Sequence, residues 1–118
     1  MADEITHNVR LQLDYGAYSR DFNPGRILLT YTPLVIYNTV ALITTGEVTI
    51  THGVTNPRFC ILYNLDATNY VEAGTTTANY PIYLRPASMP SVFEIGPGKA
   101  SIYLKANTAS CYVDITVY

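Results

Sequence analysis

The chain has 118 residues, of which 48% are hydrophobic and only 14% are charged, and its formal net charge is −2. So much apolar content with so little charge excludes an intrinsically disordered chain, and the length predicts a single domain over residues 1–118. The seven lysines and arginines are scattered singly, without the basic stripe that phosphate contacts require. Nucleic acid is therefore not an expected partner.

The first part of the chain predicts three strands. Residues 5–13 alternate between apolar and polar side chains, so one face of this strand carries Ile5, His7, Val9, Leu11 and Leu13. The segment Asp21-Phe-Asn-Pro-Gly25 is typical of a turn, because proline presets its φ and glycine tolerates a positive φ. Two further strands are expected over residues 26–32 and 34–44, divided at Pro33.

Residues 27–46 form the longest uncharged run, which is long enough to cross a bilayer. Its threonines and Pro33 suit strands better than a membrane helix, so we expect no membrane span and no membrane partner. The start Met-Ala-Asp-Glu has neither a basic nor an apolar stretch, and we expect no signal peptide.

The second part of the chain predicts shorter strands. Residues 58–65 are apolar on both faces, as in a central strand, whereas residues 81–86 are bounded by prolines and belong at a sheet edge. Residues 101–105 and 110–117 are expected to pair as a hairpin over residues 106–109. The last of these strands has one apolar face, formed by Cys111, Val113, Ile115 and Val117.

About nine short strands without a helix predict an all-β fold. The favoured architecture is an antiparallel β-sandwich of the jelly-roll or immunoglobulin-like type, with a barrel as the second choice. Cys60 and Cys111 lie in two of the strands. A disulfide between them is geometrically possible, but because we expect no signal peptide, we expect two free thiols in the core.

No set of residues predicts a reaction, a metal site or a bound cofactor. The two histidines and two cysteines lack the spacing of metal ligands, and His52 with Cys60 lacks an acid that would orient a catalytic pair. Asp66 and Glu72 flank a turn with too few oxygen ligands for calcium, so we expect Asp66 to cap backbone amides. We therefore expect a protein that is not an enzyme and needs no cofactor.

Part of the chain resembles a known group of proteins. The run Asn64-Leu-Asp-Ala-Thr-Asn-Tyr-Val-Glu-Ala-Gly74, the segment Tyr83-Leu-Arg-Pro86, the turn Ile95-Gly-Pro-Gly98 and the segment Tyr103-Leu-Lys-Ala-Asn-Thr-Ala109 together resemble small structural proteins of tailed-bacteriophage virions. The resemblance covers roughly the C-terminal half. It implies a capsid decoration, neck or tail accessory protein, located in the virion after assembly in the host cytoplasm, whose partners are the major capsid protein or other virion proteins.

The low charge and the eleven tyrosines without tryptophan favour a surface that packs against other subunits, and we expect a homo-oligomer. A carbohydrate-binding face on a tail or fibre protein is the alternative. Residues 34–43 are apolar on both faces, so this strand is either central in the sandwich or covered by a neighbour. The residues predicted to form the interface are Tyr31, Leu34, Ile36, Tyr37, Val40, Tyr80 and Tyr83.

Overall fold

The computed structural model describes residues 3–31, 35–86 and 88–118, and within these ranges it is all-β. The chain forms two compact units, each built only of antiparallel sheet. The first unit contains β1 (Asp3–Tyr15) and β2 (Tyr18–Tyr31). The second contains β3 (Tyr37–Ile43), β4 (Val48–Thr51), β5 (Phe59–Asn64), β6 (Val71–Gly74), β7 (Ile82–Leu84), β8 (Ser91–Glu94), β9 (Ser101–Ala106) and β10 (Cys111–Val117).

The second unit is one long antiparallel hairpin, with β3–β6 as one arm and β7–β10 as the other, and it folds into two sheets. Four nested antiparallel pairs, β3 with β10, β4 with β9, β5 with β8 and β6 with β7, are divided between two four-stranded sheets of order β3-β10-β5-β8 and β4-β9-β6-β7. This topology is a jelly roll, so the predicted β-sandwich is confirmed. The barrel alternative is wrong, because each sheet ends in open edge strands among the described residues.

The core lies between the two sheets, where one side of each strand faces inward. Along β10 the burial alternates, so that Cys111, Val113, Ile115 and Val117 are buried, as predicted from the sequence. They pack against side chains of the second sheet that are fully buried as well: Val71, Ala73, Ile102, Leu104 and Ala106. Hydrophobic burial on these two inner faces is the main stabilising term of the unit.

The predicted hairpin between the last two strands is wrong. β9 pairs with β4 and β6, whereas β10 pairs with β3 and β5, so the connection crosses from one sheet to the other. Both strands have one apolar face, and that pattern is the same whether two strands lie side by side or face each other across a core.

The order of strands decides which of them lie at the edges. β5 is flanked by β10 and β8, and β7 ends its sheet, so the predicted central strand and the predicted edge strand are both confirmed. β3 also ends its sheet, with β10 as its one neighbour there. Of the two alternatives for residues 34–43, the central position is therefore wrong.

The first unit is a two-stranded ribbon. The chain reverses at residues 16–17, where Gly16 has a φ of 57°, and not at the predicted turn. Instead β2 continues through Asn23 and Pro24 as a β-bulge, because Val9 pairs with Gly25 whereas Leu11 pairs with Phe22. The predicted single sandwich over residues 1–118 is thus narrowed to the second unit, since β1 and β2 form a sheet of their own.

Candidate interaction surface

The sheet β3-β10-β5-β8 turns a largely apolar face toward solvent. Because side chains alternate along each strand, the neighbours of the buried residues point outward. The exposed fraction is 57% for Tyr112, 53% for Val40 and 48% for Leu42, and it is 55% for Val92 on β8. Leu65, directly after β5, is 47% exposed. We call the solvent-facing side of these four strands the outer face.

Strand register arranges the outward-facing side chains in rows across the sheet. Leu42 pairs with Tyr112, and the backbone N–H of Leu65 donates to the Tyr112 carbonyl at 2.9 Å, so these three residues form one row across the sheet. On the far side of the sheet Val92 pairs with half-buried Ile61. The row between them holds Val40, Asp114 and half-buried Tyr63. Apolar and aromatic side chains therefore extend from Leu42 to Val92 by way of Tyr63, on either side of the charge of Asp114.

Charge is sparse on the outer face, where the strands carry only Asp114 and Glu94. Asp114 is held by Asn38, whose Nδ2 donates to the Asp114 carboxylate at 2.9 Å, to the Thr116 hydroxyl at 2.7 Å and to the Ile115 carbonyl at 3.2 Å. The side chains of Asn38, Asp114 and Thr116 thus have partners within the sheet. This lowers the cost of removing water from the face, because a polar group that keeps a hydrogen bond is cheaper to bury.

The solvent side of the other sheet, β4-β9-β6-β7, has a different chemistry. The hydroxyls of Thr51 and Ser101 are hydrogen-bonded at 3.1 Å, and Glu72 lies opposite Lys105 in the register of β6 and β9. Tyr83 is the large exposed apolar side chain of β7. Such a polar face is suited to remain in water, so the two sides of the sandwich are not equivalent.

The predicted interface residues that lie in the described part of the second unit are not all on one face of the sandwich. Val40 lies on the outer face, and Ile36, which precedes β3, is 54% exposed. Tyr37 belongs to the inner side of β3, where it packs against the core with its ring centroid 6.5 Å from that of His52. Of these residues of β3, Val40 and not Tyr37 therefore has its side chain exposed on the outer face. Tyr31 is the last residue of β2, opposite Asp3.

The remaining predicted residues are placed elsewhere or lie outside the description. Leu34 is outside the described residues. Tyr83 is on the second sheet, stacked on Tyr70 with ring centroids 4.3 Å apart. The hydroxyl of Tyr80 donates to the carboxylate of Glu47. The sequence reasoning missed Leu42, although its spacing of two residues from Val40 places both on one face of a strand.

Glu47 ties the loop after β6 to the start of β4. Besides the Tyr80 hydroxyl, its carboxylate accepts bonds from the Thr77 hydroxyl at 2.7 Å and the Ala78 backbone N–H at 2.8 Å. These bonds, the Tyr80 bond first, lower the pKa of Glu47, and the same Tyr80 bond raises the pKa of the phenol. Tyr80 is thus engaged within its own chain, which explains its position without an intermolecular contact.

The groups with potential for chemistry have structural partners. His52 is buried, with Nε2 2.6 Å from the Lys99 carbonyl and Nδ1 accepting the Val54 N–H at 3.1 Å. Cys60 is buried, and burial raises the pKa of its thiol to about 12. The prediction of two core cysteines is confirmed, since Cys111 is buried too. The described residues contain no group of three or more His, Cys, Asp or Glu side chains placed to hold a metal ion.

The segment that carries the phage resemblance is a hydrogen-bonded turn. Buried Asn64 donates to the carbonyls of Asn69 at 2.8 Å and Leu84 at 3.1 Å, and it accepts the Asp66 N–H at 2.9 Å. Asp66 in turn accepts the N–H groups of Thr68 at 2.9 Å and Asn69 at 2.5 Å. These bonds lower the pKa of the Asp66 carboxyl. The predicted capping role of Asp66 is confirmed.

The β1–β2 ribbon carries a second exposed apolar surface. Val9, Leu11 and Phe22 are between 41% and 50% exposed, and they line an open groove of about 560 Å³ together with Asn23 and Pro24. Arg20 covers part of the Phe22 ring, with its guanidinium carbon 4.2 Å from the ring centroid. A two-stranded ribbon is at best marginally stable alone in water, so the pairing of β1 with β2 contributes little stability by itself.

Comparisons with protein-family models, with curated proteins and with solved structures found no match. The described part of the chain has no helical segment with the length and hydrophobicity of a membrane span.

Proposed function

We propose that this chain is a non-enzymatic structural protein of a bacteriophage virion, which decorates and reinforces the capsid through protein–protein contacts. The proposal rests chiefly on the outer face, where Val40, Leu42, Leu65, Val92 and Tyr112 are all exposed. Contiguous apolar surface on a folded domain marks a place where another protein binds. The turn of residues 64–74 and the C-terminal strands supply the resemblance to virion proteins.

The fold is compatible with this role, because jelly rolls are frequent in viral capsid proteins. That argument is an analogy, since one fold serves many functions. A decoration protein needs no reaction: when it binds only the assembled shell, mass action stabilises that form. The major capsid protein, or another virion protein, is then the partner of the outer face.

Two exposed tyrosines on opposite sheets provide a test. Tyr112 is 57% exposed on the outer face, and Tyr83 is 47% exposed on the other sheet. The variants Tyr112→Lys and Tyr83→Lys would be compared with the unchanged chain for co-sedimentation with phage particles lacking the protein. We expect Tyr112→Lys to weaken binding by about tenfold or more, because it buries a charge in an apolar contact. Tyr83→Lys should bind normally.

Tyr112→Lys should keep the melting temperature of the unchanged chain, because Tyr112 is not part of the core. Tyr83→Lys loses the stack on Tyr70, so it should melt at a somewhat lower temperature but still in one cooperative transition. Loss of binding in Tyr83→Lys alone would move the contact to the second sheet. Normal binding by both variants would contradict the proposal. Failure of all three proteins, including the unchanged chain, to bind the particles would contradict it too.

A receptor- or carbohydrate-binding component of a tail, neck or fibre is the second candidate. One observation favours it: an open groove of about 330 Å³ lies between the loop after β6 and the turn before β9. Hydroxyl groups and an aromatic ring of the kind that contact sugars line it, namely those of Thr75, Thr76, Thr77, Ser101 and Tyr103. Binding to a glycan array that is abolished by Tyr103→Ala would support this candidate. If the unchanged chain binds no glycan, the outer face remains the functional surface.

A further inference from the structure

Among the described residues, the two sheets of the sandwich have four edge strands, and three of them are poorly suited to pair with another strand. β7 has three residues and is flanked by Pro81 and Pro86, and β8 has four residues and ends in the charged Glu94. β4 has four residues and follows the bonded Glu47. Short strands, prolines and charges are the devices by which proteins keep sheet edges from pairing.

The fourth edge, β3, has none of these devices. Its seven residues, Tyr-Asn-Thr-Val-Ala-Leu-Ile, contain no charge, proline or glycine, and they pair regularly with β10 from Tyr37 to Ile43. An edge strand of this length offers a row of backbone N–H and C=O groups that can extend the sheet. The apolar side chains of Val40 and Leu42 stand beside that row, exposed on the outer face.

We propose that β3 pairs antiparallel with β3 of a second copy, which joins two four-stranded sheets into one eight-stranded sheet around a two-fold axis. In a symmetric antiparallel contact the residue at the two-fold axis meets its own copy, so a charge at that position would face a like charge across the interface. β3 carries no charge, and a pairing centred on its middle residue sets Val40 against Val40 of the second copy. The same register sets Leu42 against Asn38, and no charged pair results.

The size of the edge predicts a reversible dimer. At about 3.4 Å per residue a seven-residue strand is roughly 24 Å long, and with a sheet thickness of about 10 Å the contact covers roughly 240 Å². That is well below the about 800 Å² per partner of standard stable interfaces. We therefore expect a concentration-dependent monomer–dimer equilibrium, which can be measured on the isolated chain and does not depend on the proposed particle binding.

Val40 and Val92 form a matched pair for the test. Both are valines on the outer face, 53% and 55% exposed, but Val40 is on β3 and Val92 is on β8 at the opposite edge of the same sheet. By sedimentation equilibrium at up to about 100 µM, the unchanged chain and Val92→Lys should dimerise alike. Val40→Lys should weaken dimerisation by about tenfold or more, because two ammonium groups meet at the axis.

Charge reversal makes the test specific for a symmetric contact. Val40→Asp alone should weaken dimerisation as well, and its melting is compared first with that of the unchanged chain, because residue 40 lies opposite Asp114 in the register of β3 and β10. An equimolar mixture of Val40→Lys and Val40→Asp should form a heterodimer, visible by native mass spectrometry. Thermal melting of each variant controls for folding. A monomeric unchanged chain, equal dimerisation in Val40→Lys, or no heterodimer in the mixture would overturn the proposal. Loss of dimers in Leu11→Lys but not in Val40→Lys would assign the contact to the β1–β2 ribbon and overturn it too.

Discussion

At the scale of single residues, Gly74 shows how closely the loop after β6 returns to the sheet. A Cβ atom at this position would overlap the backbone carbonyl oxygen of Asn79, which cannot move away like a flexible side chain. Gly74→Ala should therefore destabilise the sandwich by roughly 1–3 kcal/mol, as overpacking does. Gly96→Ala is the matched control, because nothing lies near its added methyl group. Equal urea midpoints for Gly74→Ala and Gly96→Ala would show that the loop after β6 shifts to make room for the added methyl group.

Asp66 predicts a pH dependence of stability. Hydrogen bonds from the N–H groups of Asn69 and Thr68 lower its pKa in the folded state below the ordinary value of 3.8. A group with a lowered folded pKa contributes stability that is present above its unfolded pKa and lost as the pH falls through the folded pKa. Asp66→Asn should therefore lower the melting temperature at neutral pH, and the difference from the unchanged chain should shrink at acidic pH.

Asp14→Asn is the control for this measurement. Asp14 lies in the β1–β2 ribbon, where its carboxylate accepts a long 3.5 Å bond from the Gln12 side chain. Its replacement should leave the melting of the sandwich unchanged at every pH. A difference between Asp66→Asn and the unchanged chain that stays the same from neutral to acidic pH would contradict the role of the carboxylate charge.

At the scale of elements, the β1–β2 ribbon should be the least protected part of the isolated chain. Each of its strands has one partner, and the side chains of Val9, Leu11 and Leu13 are about half exposed. Hydrogen exchange followed by mass spectrometry should therefore show faster exchange in β1 and β2 than in the central strands β5 and β10. Binding to particles should slow it if the ribbon is covered there. Exchange in the free chain as slow as in β10 would show that the ribbon is already covered.

The elements also show which features the sequence could predict. The alternation of β10 predicted its buried face, and the prolines around β7 predicted an edge, because both depend on local chemistry. The partner of β9 could not be predicted, since sheet pairing is decided by strands distant in sequence. The segment with Pro24 looked like a turn, but Gly25, at a φ of 76°, serves a bulge within a long strand. The outer face could not be predicted, because the sequence of residues 34–43 is compatible with a central strand and with an edge strand.

At the scale of the whole molecule, the stabilising core and the exposed apolar surface lie on different faces of the sandwich. The inner faces of both sheets hold the core, one outer side is polar and bonded within the chain, and the other is apolar with Asp114 held by Asn38. In the proposed dimer the two-fold axis is perpendicular to the joined sheet, because antiparallel strands of one sheet share the same faces. The apolar outer faces of both copies therefore point to the same side and can contact one particle together.

Such a dimer should reinforce particles more strongly than a monomer. Two linked contacts raise the overall affinity by about 10²–10⁴-fold when both can form at once. At limiting protein concentration, particles with the unchanged chain should therefore release DNA at a higher temperature than particles with Val40→Lys or Val40→Asp. The mixture of the two variants should restore the release temperature, measured with a DNA-binding dye. Full protection by either variant alone would show that reinforcement does not need the dimer. Equal release with and without the unchanged chain would instead contradict the decoration role and favour a place in the tail.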